Sequence, residues 1–216
     1  MSPIILNIIL QSTLQTLEMV FASTAISVVI GLPLALFMIT TGPGGLYHLP
    51  FAARIVGILV DALRAIPFII LLVILIPLTR FIAGTSLGTE AAIVPLSIAG
   101  IPYFARIAEV ALREVDSGLI DAVKAMGGTR LTIIRSVLIP EALPSLVGSL
   151  TVTLITMVGA SAMAGTIGAG GLGDLAIRYG YQRFNTTVMM DVVAVLIVMV
   201  FIIQICGNAL ARWLKH

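Results

Sequence analysis

The sequence predicts an all-α protein that crosses a lipid bilayer several times. Of its 216 residues, 59% are hydrophobic and only 10% are charged, whereas a soluble domain carries about 25% charged residues. So few charges cannot cover a globule in water, and lipid must therefore solvate much of the surface. The mean hydropathy of +1.16 and five long apolar segments predict a polytopic membrane protein with five transmembrane helices and one large cytoplasmic loop.

Each of the five segments is long enough for a helix to cross the hydrocarbon core, which takes about 20 apolar residues. In chain order, we expect spans at about residues 14–41, 53–81, 91–114, 143–166 and 187–212. Pro67 and Pro77 interrupt the second span, and Pro95 and Pro102 lie inside the third. Backbone groups that prolines leave unpaired need partners from neighbouring helices in lipid, which predicts a packed bundle.

The positions of Lys and Arg predict the orientation, because the cytoplasmic loops of membrane proteins carry the excess of both. In a five-span arrangement, one side holds eight of them: Arg54, Arg106, Arg113, Lys124, Arg130, Arg135, Arg212 and Lys215. The other side holds Arg80, Arg178 and Arg183. We therefore expect an external N-terminus and a cytoplasmic C-terminus. Because Arg54 is the first cation, we also expect a retained first helix rather than a cleaved signal peptide.

Several kinds of chemistry find no support in the sequence. The glycine-rich segment 168–173 lacks the lysine of a nucleotide-binding loop, so the chain should not bind ATP. A single cysteine, Cys206, excludes an intrachain disulfide, and His48 and His216 lie far apart and suggest no metal site. The net charge of +2 gives no sign of nucleic-acid binding. We expect a chain that is not an enzyme and needs no metal or cofactor.

Residues 118–140 form the most informative loop, between the third and fourth spans. Residues 119–126 favour a helix, and the pair of glycines that follows is a helix stop. Thr129 is a suitable N-cap for a second short helix that Pro140 would end. Helical spacing places four apolar side chains on one face of that second helix: Leu131, Ile134, Val137 and Leu138. Such a pair of helices either lies on lipid headgroups or docks against a partner protein.

The spacing within this loop resembles a motif in the permeases of type I ABC importers. That motif joins Glu-Ala-Ala, Gly and a final Pro at fixed distances, and the same distances here join Asp121, Ala122, Gly127 and Pro140. Asp replaces Glu, and other apolar residues fill three further positions. The resemblance implies that residues 118–140 are a coupling element that docks in a cleft of an ATP-binding subunit. Its coupling residues would be Asp121, Ala122, Ala125, Gly127 and Pro140.

Asp121 admits two interpretations. We expect it in the first turn of its helix, where the helix dipole stabilises an acid. It either serves only that purpose or also pairs with a cation on the partner.

Further motifs, from about residue 14 to the C-terminus, are similar to those of methionine importer permeases. They occupy residues 64–71, 139–144, 161–174 and 178–181. The resemblance implies a type I ABC permease domain at about 14–212 in a bacterial inner membrane. It implies a homodimer with two ATP-binding subunits, which hold the ATPase activity. It also implies that an extracytoplasmic methionine-binding protein delivers L- or D-methionine.

The small residues at the end of the fourth span have two explanations. Small side chains allow close helix packing in lipid, or this segment lines a translocation path near a dimer axis. In the second case the path includes Ser161, Met163 and Gly165. Met163 is the large, flexible side chain among them and would act as a gate, the alternative being an ordinary packing methionine.

Charged residues inside the spans also need a reason, because charge is costly in lipid. Asp61 and Arg64, three residues apart on one helix face, can form a structural pair or contact a substrate. No chain of carboxylates suggests a proton relay. The alternative functions are a permease for another amino acid or small solute, a stand-alone carrier or channel, and a structural subunit of another membrane complex.

Overall fold

The computed structural model describes residues 3–42, 45–47 and 49–215, which form a helical bundle without a β-strand. The helices are α1 (Pro3–Thr41), α2 (Pro50–Ala65), α3 (Phe68–Ile74), α4 (Ile76–Ala83), α5 (Thr89–Arg113), α6 (Ser117–Ala125), α7 (Arg130–Ile133), α8 (Ile139–Gly165), α9 (Gly171–Leu175) and α10 (Thr186–Trp213). Two π-helical segments, Ile134–Leu138 and Ala176–Tyr181, follow α7 and α9. The predicted all-α, polytopic fold class is confirmed.

Among the described residues, four helical stretches are long and apolar enough to cross a bilayer: α1, α5, the continuous run from Arg130 to Gly165, and α10. The pair α2–α3 is a fifth span if it is counted as one. The helix that contains the first predicted span begins at Pro3, ahead of residue 14. Polar residues near its start have satisfied hydroxyls, because these bond to carbonyls one turn earlier, as Thr13 does to Ile9 at 2.7 Å.

The predicted second span at 53–81 is not one helix but three. Pro67 is the cause of the first break, because proline has no N–H and its ring pushes the preceding residue out of the helical region. Ile66 is accordingly extended, with φ −76° and ψ 123°. Helices α2 and α3 meet there at an angle of 99°. Pro77 lies in the first turn of α4, where its missing N–H costs nothing.

Helices α1 and α5 pack closely side by side because small residues lie where they cross. A Cβ atom on Gly31 would come within 3.0 Å of the carbonyl oxygen of Ile101, and Gly100 likewise faces Ser27 of α1. The Ser27 hydroxyl donates to the carbonyl of Ser23 at 2.7 Å, so it stays satisfied in the apolar interior. Small residues at a helix crossing are the usual means of close approach in membranes.

Two large apolar clusters hold the described part of the bundle together, and a smaller third one joins α1, α2 and α5. One joins α1, α5, α8, α9 and α10, with Met19, Leu96 and Leu172 fully buried at its centre. The other joins α1 and α5 to the start of α8 and includes Phe104 and Leu112. Helix α10, by contrast, buries few side chains and exposes an apolar surface, which fits a helix in contact with lipid.

The glycine-rich segment after α8 folds back onto α1. The amide of Gly171 donates to the side chain of Gln15 at 2.9 Å, and the amide of Leu172 donates to Thr16 Oγ1 at 2.9 Å. These bonds satisfy the first amides of α9, which no helical carbonyl can reach. The ion pair between Asp174 and Arg178 lies in the same region.

Candidate coupling hairpin and translocation path

Helices α6 and α7 form a hairpin, and α6 begins with a side-chain cap. The Asp116 carboxylate accepts a hydrogen bond from the amide of Gly118 at 2.8 Å, which satisfies an amide that has no helical partner. Asp121 is therefore one full turn further along, and its predicted place in the first turn is wrong. It forms an exposed pair with Lys124 at 3.0 Å. The sequence already contained the better cap, an acid directly before Ser117-Gly118.

The turn of the hairpin confirms the predicted helix stop. Gly127 has a φ of +78°, in the left-handed region that favours glycine. Its amide donates to the carbonyl of Lys124 at 3.0 Å, and the amide of Gly128 donates to the carbonyl of Val123 at 2.9 Å. These two bonds are the pattern of a Schellman motif, which fixes the direction in which the chain leaves α6.

Thr129 caps α7 as predicted, since its Oγ1 accepts from the amide of Thr132 at 3.2 Å. Pro140 does not end this helix, and that prediction is wrong. A π-helical turn intervenes, in which the amide of Ile139 donates to the carbonyl of Ile134, five residues back. The wider turn changes the hydrogen-bond register just before the residue that cannot donate. Helix α7 and the fourth span are thus continuous from Arg130 to Gly165.

The π-turn also changes which side chains of this stretch are buried. Ile133, Val137 and Leu138 are buried, and Ile133 and Leu138 share an apolar cluster with the end of α5. Leu131, predicted on the same face as Val137 and Leu138, is 54% exposed. A strict helical period cannot place these positions, because the extra residue in the π-turn rotates everything before it.

The outer surface of the hairpin is open. No described residue of α6 is buried, and Ala122 and Ala125 are both exposed. Apolar side chains are exposed at the tip as well, with Met126 at 79%. A group of exposed apolar side chains indicates a surface that lipid or another protein covers.

One face of α8 is also uncovered. It carries, at helical spacing, the exposed Val152, Gly159 and Met163 and the half-buried Thr156, and exposed Thr166 follows at the end of the helix. Met163 is 51% exposed and is the largest of these side chains. A Cβ on Gly159 would meet nothing within 4 Å, so the space beside the helix is also open one turn before Met163.

The two other predicted path residues lie on the packed side of α8. Ser161 is 1% exposed, and its hydroxyl donates to the carbonyl of Val158 at 2.8 Å. Gly165 allows α8 to touch α9, because a Cβ there would overlap the backbone of Gly173 and Asp174. The helix therefore separates Met163 from both residues.

Five charged side chains of α2 and α5 form a connected network. Arg64 and Asp61 are 3.3 Å apart, which confirms the predicted pair. Arg106 lies 3.5 Å from Asp61 and 2.8 Å from Glu109, and Glu109 also binds Arg113. Glu109 is buried, so its two arginine partners are what keep a charge there tolerable. The spacing of 106, 109 and 113 along one helix was a usable sign of this network.

A family of transport proteins matches most of the chain. Residues 27–216 fit the model of the binding-protein-dependent transport system inner membrane component. The chain belongs to this family. It is an inner-membrane transport component, and its apolar helices are the spans of such a component.

Named relatives of this transport component are similar over most or nearly all of the chain. The probable D-methionine transport system permease protein MetI of Vibrio cholerae is 49% identical over 97% of this chain and 93% of its own. The D-methionine transport system permease protein MetI of Escherichia coli (strain K12) is 48% identical over 76% of each. The methionine import system permease protein MetP of Bacillus subtilis is 44% identical over 80% of this chain and 78% of its own.

Solved structures match this transport component as well. An inward-facing crystal form of the MetNI methionine ABC transporter contains a chain with a TM-score of 0.98 and 46% identity, covering 100% of both chains. An amino acid ABC transporter crystallised with histidines gives a TM-score of 0.75 at 23% identity and shows a shared fold.

Metal-binding clusters are absent from the described part of this transport component. His48 and His216, the histidines considered in the sequence, lie outside the described residues. The candidate functional side chains are those of the hairpin, the open face of α8 and the charged network.

Proposed function

We propose that this chain is the membrane permease subunit of an ATP-driven importer of methionine, in both its L- and D-forms. The observation that carries the proposal is the match over the full length to a chain of the MetNI methionine ABC transporter. Relatives named as methionine permeases at 44–49% identity support the same substrate. The chain works as a homodimer with two ATP-binding subunits, which carry the ATPase activity. An extracytoplasmic binding protein delivers the amino acid.

In this function the α6–α7 hairpin is the coupling element. Its support is the open surface with exposed apolar side chains, which a cleft in an ATP-binding subunit would cover. Asp121, Ala122 and Ala125 make the contacts, Gly127 sets the turn, and Pro140 lies where the hairpin passes into the fourth span. Asp121 can exchange Lys124 for a cation of the partner, because their pair is exposed and weak.

The open face of α8 borders the translocation path, across which the second copy lies. Met163 is the gate, since its flexible thioether can block a narrow opening and move aside. Ser161 and Gly165 contribute from the packed side of α8, where Gly165 allows the close contact with α9. The type I permease domain extends over about 14–212, with an external N-terminus and a cytoplasmic C-terminus, as the distribution of Lys and Arg supports. Similarity to an inward-facing form supports an inward-facing state for the described conformation.

The test is uptake of radiolabelled methionine into proteoliposomes that contain the permease, its ATP-binding subunit and the binding protein. We expect uptake that requires ATP and all three proteins, with competition by unlabelled D-methionine. Uptake by the permease alone would indicate a carrier or channel instead. Competition by a different amino acid and none by methionine would keep the importer and change its substrate. No ATP-dependent uptake of any solute would refute the proposal.

A further inference from the structure

A cavity of about 320 Å³ lies between the broken second span, α5 and α8. This volume falls within the range of about 300–1,000 Å³ that small-molecule sites occupy. Its polar wall contains the side chains of Arg64, Tyr103 and Thr156. The rest of the wall is apolar and includes Phe68 and Met157. A few polar groups that converge on one end of an apolar cavity are typical of a binding site for a small amphipathic molecule.

Arg64 is the charged residue that lines this cavity. Its guanidinium has five N–H donors, and one of them, on Nη1, bonds to Asp61 at 3.3 Å. It also lies over the ring of Tyr103, with 6.0 Å between Arg64 Cζ and the ring centroid. The remaining donors have the planar geometry that binds a carboxylate through two parallel hydrogen bonds.

The charges around Arg64 leave one cation unbalanced. The network contains three arginines, Arg64, Arg106 and Arg113, but only two acids, Asp61 and Glu109. Glu109 is shared between Arg106 and Arg113, and Asp61 between Arg64 and Arg106. The network alternates in sign and has an arginine at each end, and Arg64 is the end that lines the cavity. An anion bound there would balance the network, which makes a site of this kind attractive to a carboxylate.

The cavity also lies at mid-depth in the bundle. Tyr103 is near the middle of α5, and its hydroxyl accepts a hydrogen bond from Thr156 of α8 at 3.0 Å. The break at Ile66 and Pro67 forms part of the wall. Irregular backbone at membrane depth persists only where protein buries it or a water-filled cavity adjoins it. Thr156 belongs to the same open face of α8 as Met163, so the cavity adjoins the proposed path.

We propose that this cavity is a substrate site within the permease, in which Arg64 binds the carboxylate of the amino acid during its passage. The apolar wall, with Phe68, Leu71 and Met157, holds an unbranched apolar side chain. This inference rests on the proposed function and deepens it, because it assigns part of the substrate selection to the membrane subunit. A phospholipid phosphate has similar chemistry and is the competing source of an anion.

The test measures equilibrium binding of radiolabelled L-methionine to the purified complex of permease and ATP-binding subunit, without the binding protein. Unlabelled L-methionine and L-methioninamide, which lacks the carboxylate, serve as competitors. We expect Arg64→Gln to weaken binding of the acid about tenfold or more, because it removes a hydrogen bond between two charged groups. The affinity for L-methioninamide should be the same in Arg64→Gln as in the wild type. The affinity of Arg64→Lys for methionine should lie between those of the wild type and Arg64→Gln.

Arg54→Gln is the matched control. Arg54 lies on the same helix, is exposed and does not line the cavity, so this variant should bind as the wild type does. Equal binding of the acid by wild type and Arg64→Gln would overturn the proposal. The proposal would also be overturned if native mass spectrometry showed that Arg64→Gln loses a bound phospholipid while its methionine binding is unchanged.

Two further measurements keep the outcome decisive. If Arg64→Gln does not assemble, Ala160→Leu fills the cavity from a position where the native side chain is 9% exposed. That variant should lose methionine binding, and unchanged binding would overturn the site. Uptake by the wild-type complex separates the two proposals. A wild type that imports no methionine refutes the proposed function, whereas normal import with no effect of either variant refutes only the site.

Discussion

Replacing Gly127 by alanine isolates the turn of the hairpin from everything else in the bundle. The φ of Gly127 is +78°, and a Cβ there would meet nothing within 4 Å. The substitution therefore causes no steric overlap and acts only through the backbone. A left-handed conformation costs an L-residue about 1–2 kcal/mol. A cost of that size changes a conformational equilibrium by a factor of about 5–30, so the turn should lose its fixed direction in a substantial fraction of molecules.

Gly84 provides a matched control for this variant. It has a φ of +73° at the end of α4, and a Cβ added to it would also meet nothing within 4 Å. Gly84→Ala should therefore carry the same backbone cost far from the hairpin. The melting temperature of the purified complex should be lowered about equally in both variants.

Transport and ATP hydrolysis should separate the two variants. Uptake per ATP hydrolysed in proteoliposomes should fall several-fold in Gly127→Ala and stay near the wild-type value in Gly84→Ala. The reason is that only the turn at Gly127 orients the surface proposed to contact the ATP-binding subunit. Equal uptake ratios in the two variants would refute a role for the turn in coupling and leave it a structural feature.

Three further predictions follow from buried charge, packing and orientation. Glu109→Gln should lower the unfolding free energy of the complex by about 1–3 kcal/mol, since it leaves Arg113 without its acid and Arg106 with Asp61 alone. Asp121→Asn, which breaks an exposed pair, should cost under about 1 kcal/mol in the same melting experiment. Gly165→Ala should destabilise the complex because its Cβ overlaps the backbone of α9, whereas Gly159→Ala should not, and equal melting temperatures would contradict that packing. In a Cys206→Ser background, an impermeant thiol reagent added outside cells should label Phe184→Cys and not Met126→Cys, and the reverse pattern would invert the proposed orientation.

Apolar length and local capping were readable from the sequence, because each depends on residues close in the chain. The spans follow from runs of apolar residues, and the hairpin turn follows from Gly127 and the cap at Thr129. The consequences of proline were not readable in the same way. Pro67 bends its span by 99°, whereas Pro140 leaves its helix continuous. Both residues remove one N–H, and the outcome depends on whether the preceding turn can widen, which the local pattern does not encode.

The candidate sites were only partly predictable for a related reason. Met163 and Gly165 are two residues apart on one helix, yet one faces open space and the other touches α9. A pattern of small residues in the sequence does not show which side of the helix faces another helix and which side is open. The charged network shows the same limit. The spacing of its residues within α5 is visible in the sequence. The contact of Arg106 with Asp61, on a different helix, is not.

The continuity of α7 with α8 bears on how movement at the hairpin would reach the path. A helix from Arg130 to Gly165 has a length of about 54 Å at a rise of 1.5 Å per residue. A continuous helix transmits a displacement at one end to the other, except where its hydrogen bonding is irregular. The π-turn at Ile134–Leu138 is such a point, but Leu138 within it is buried in an apolar cluster with Phe104 and Leu112 of α5. Movement of the hairpin should therefore carry α5 and α8 together, and with them the wall formed by Tyr103 and Thr156.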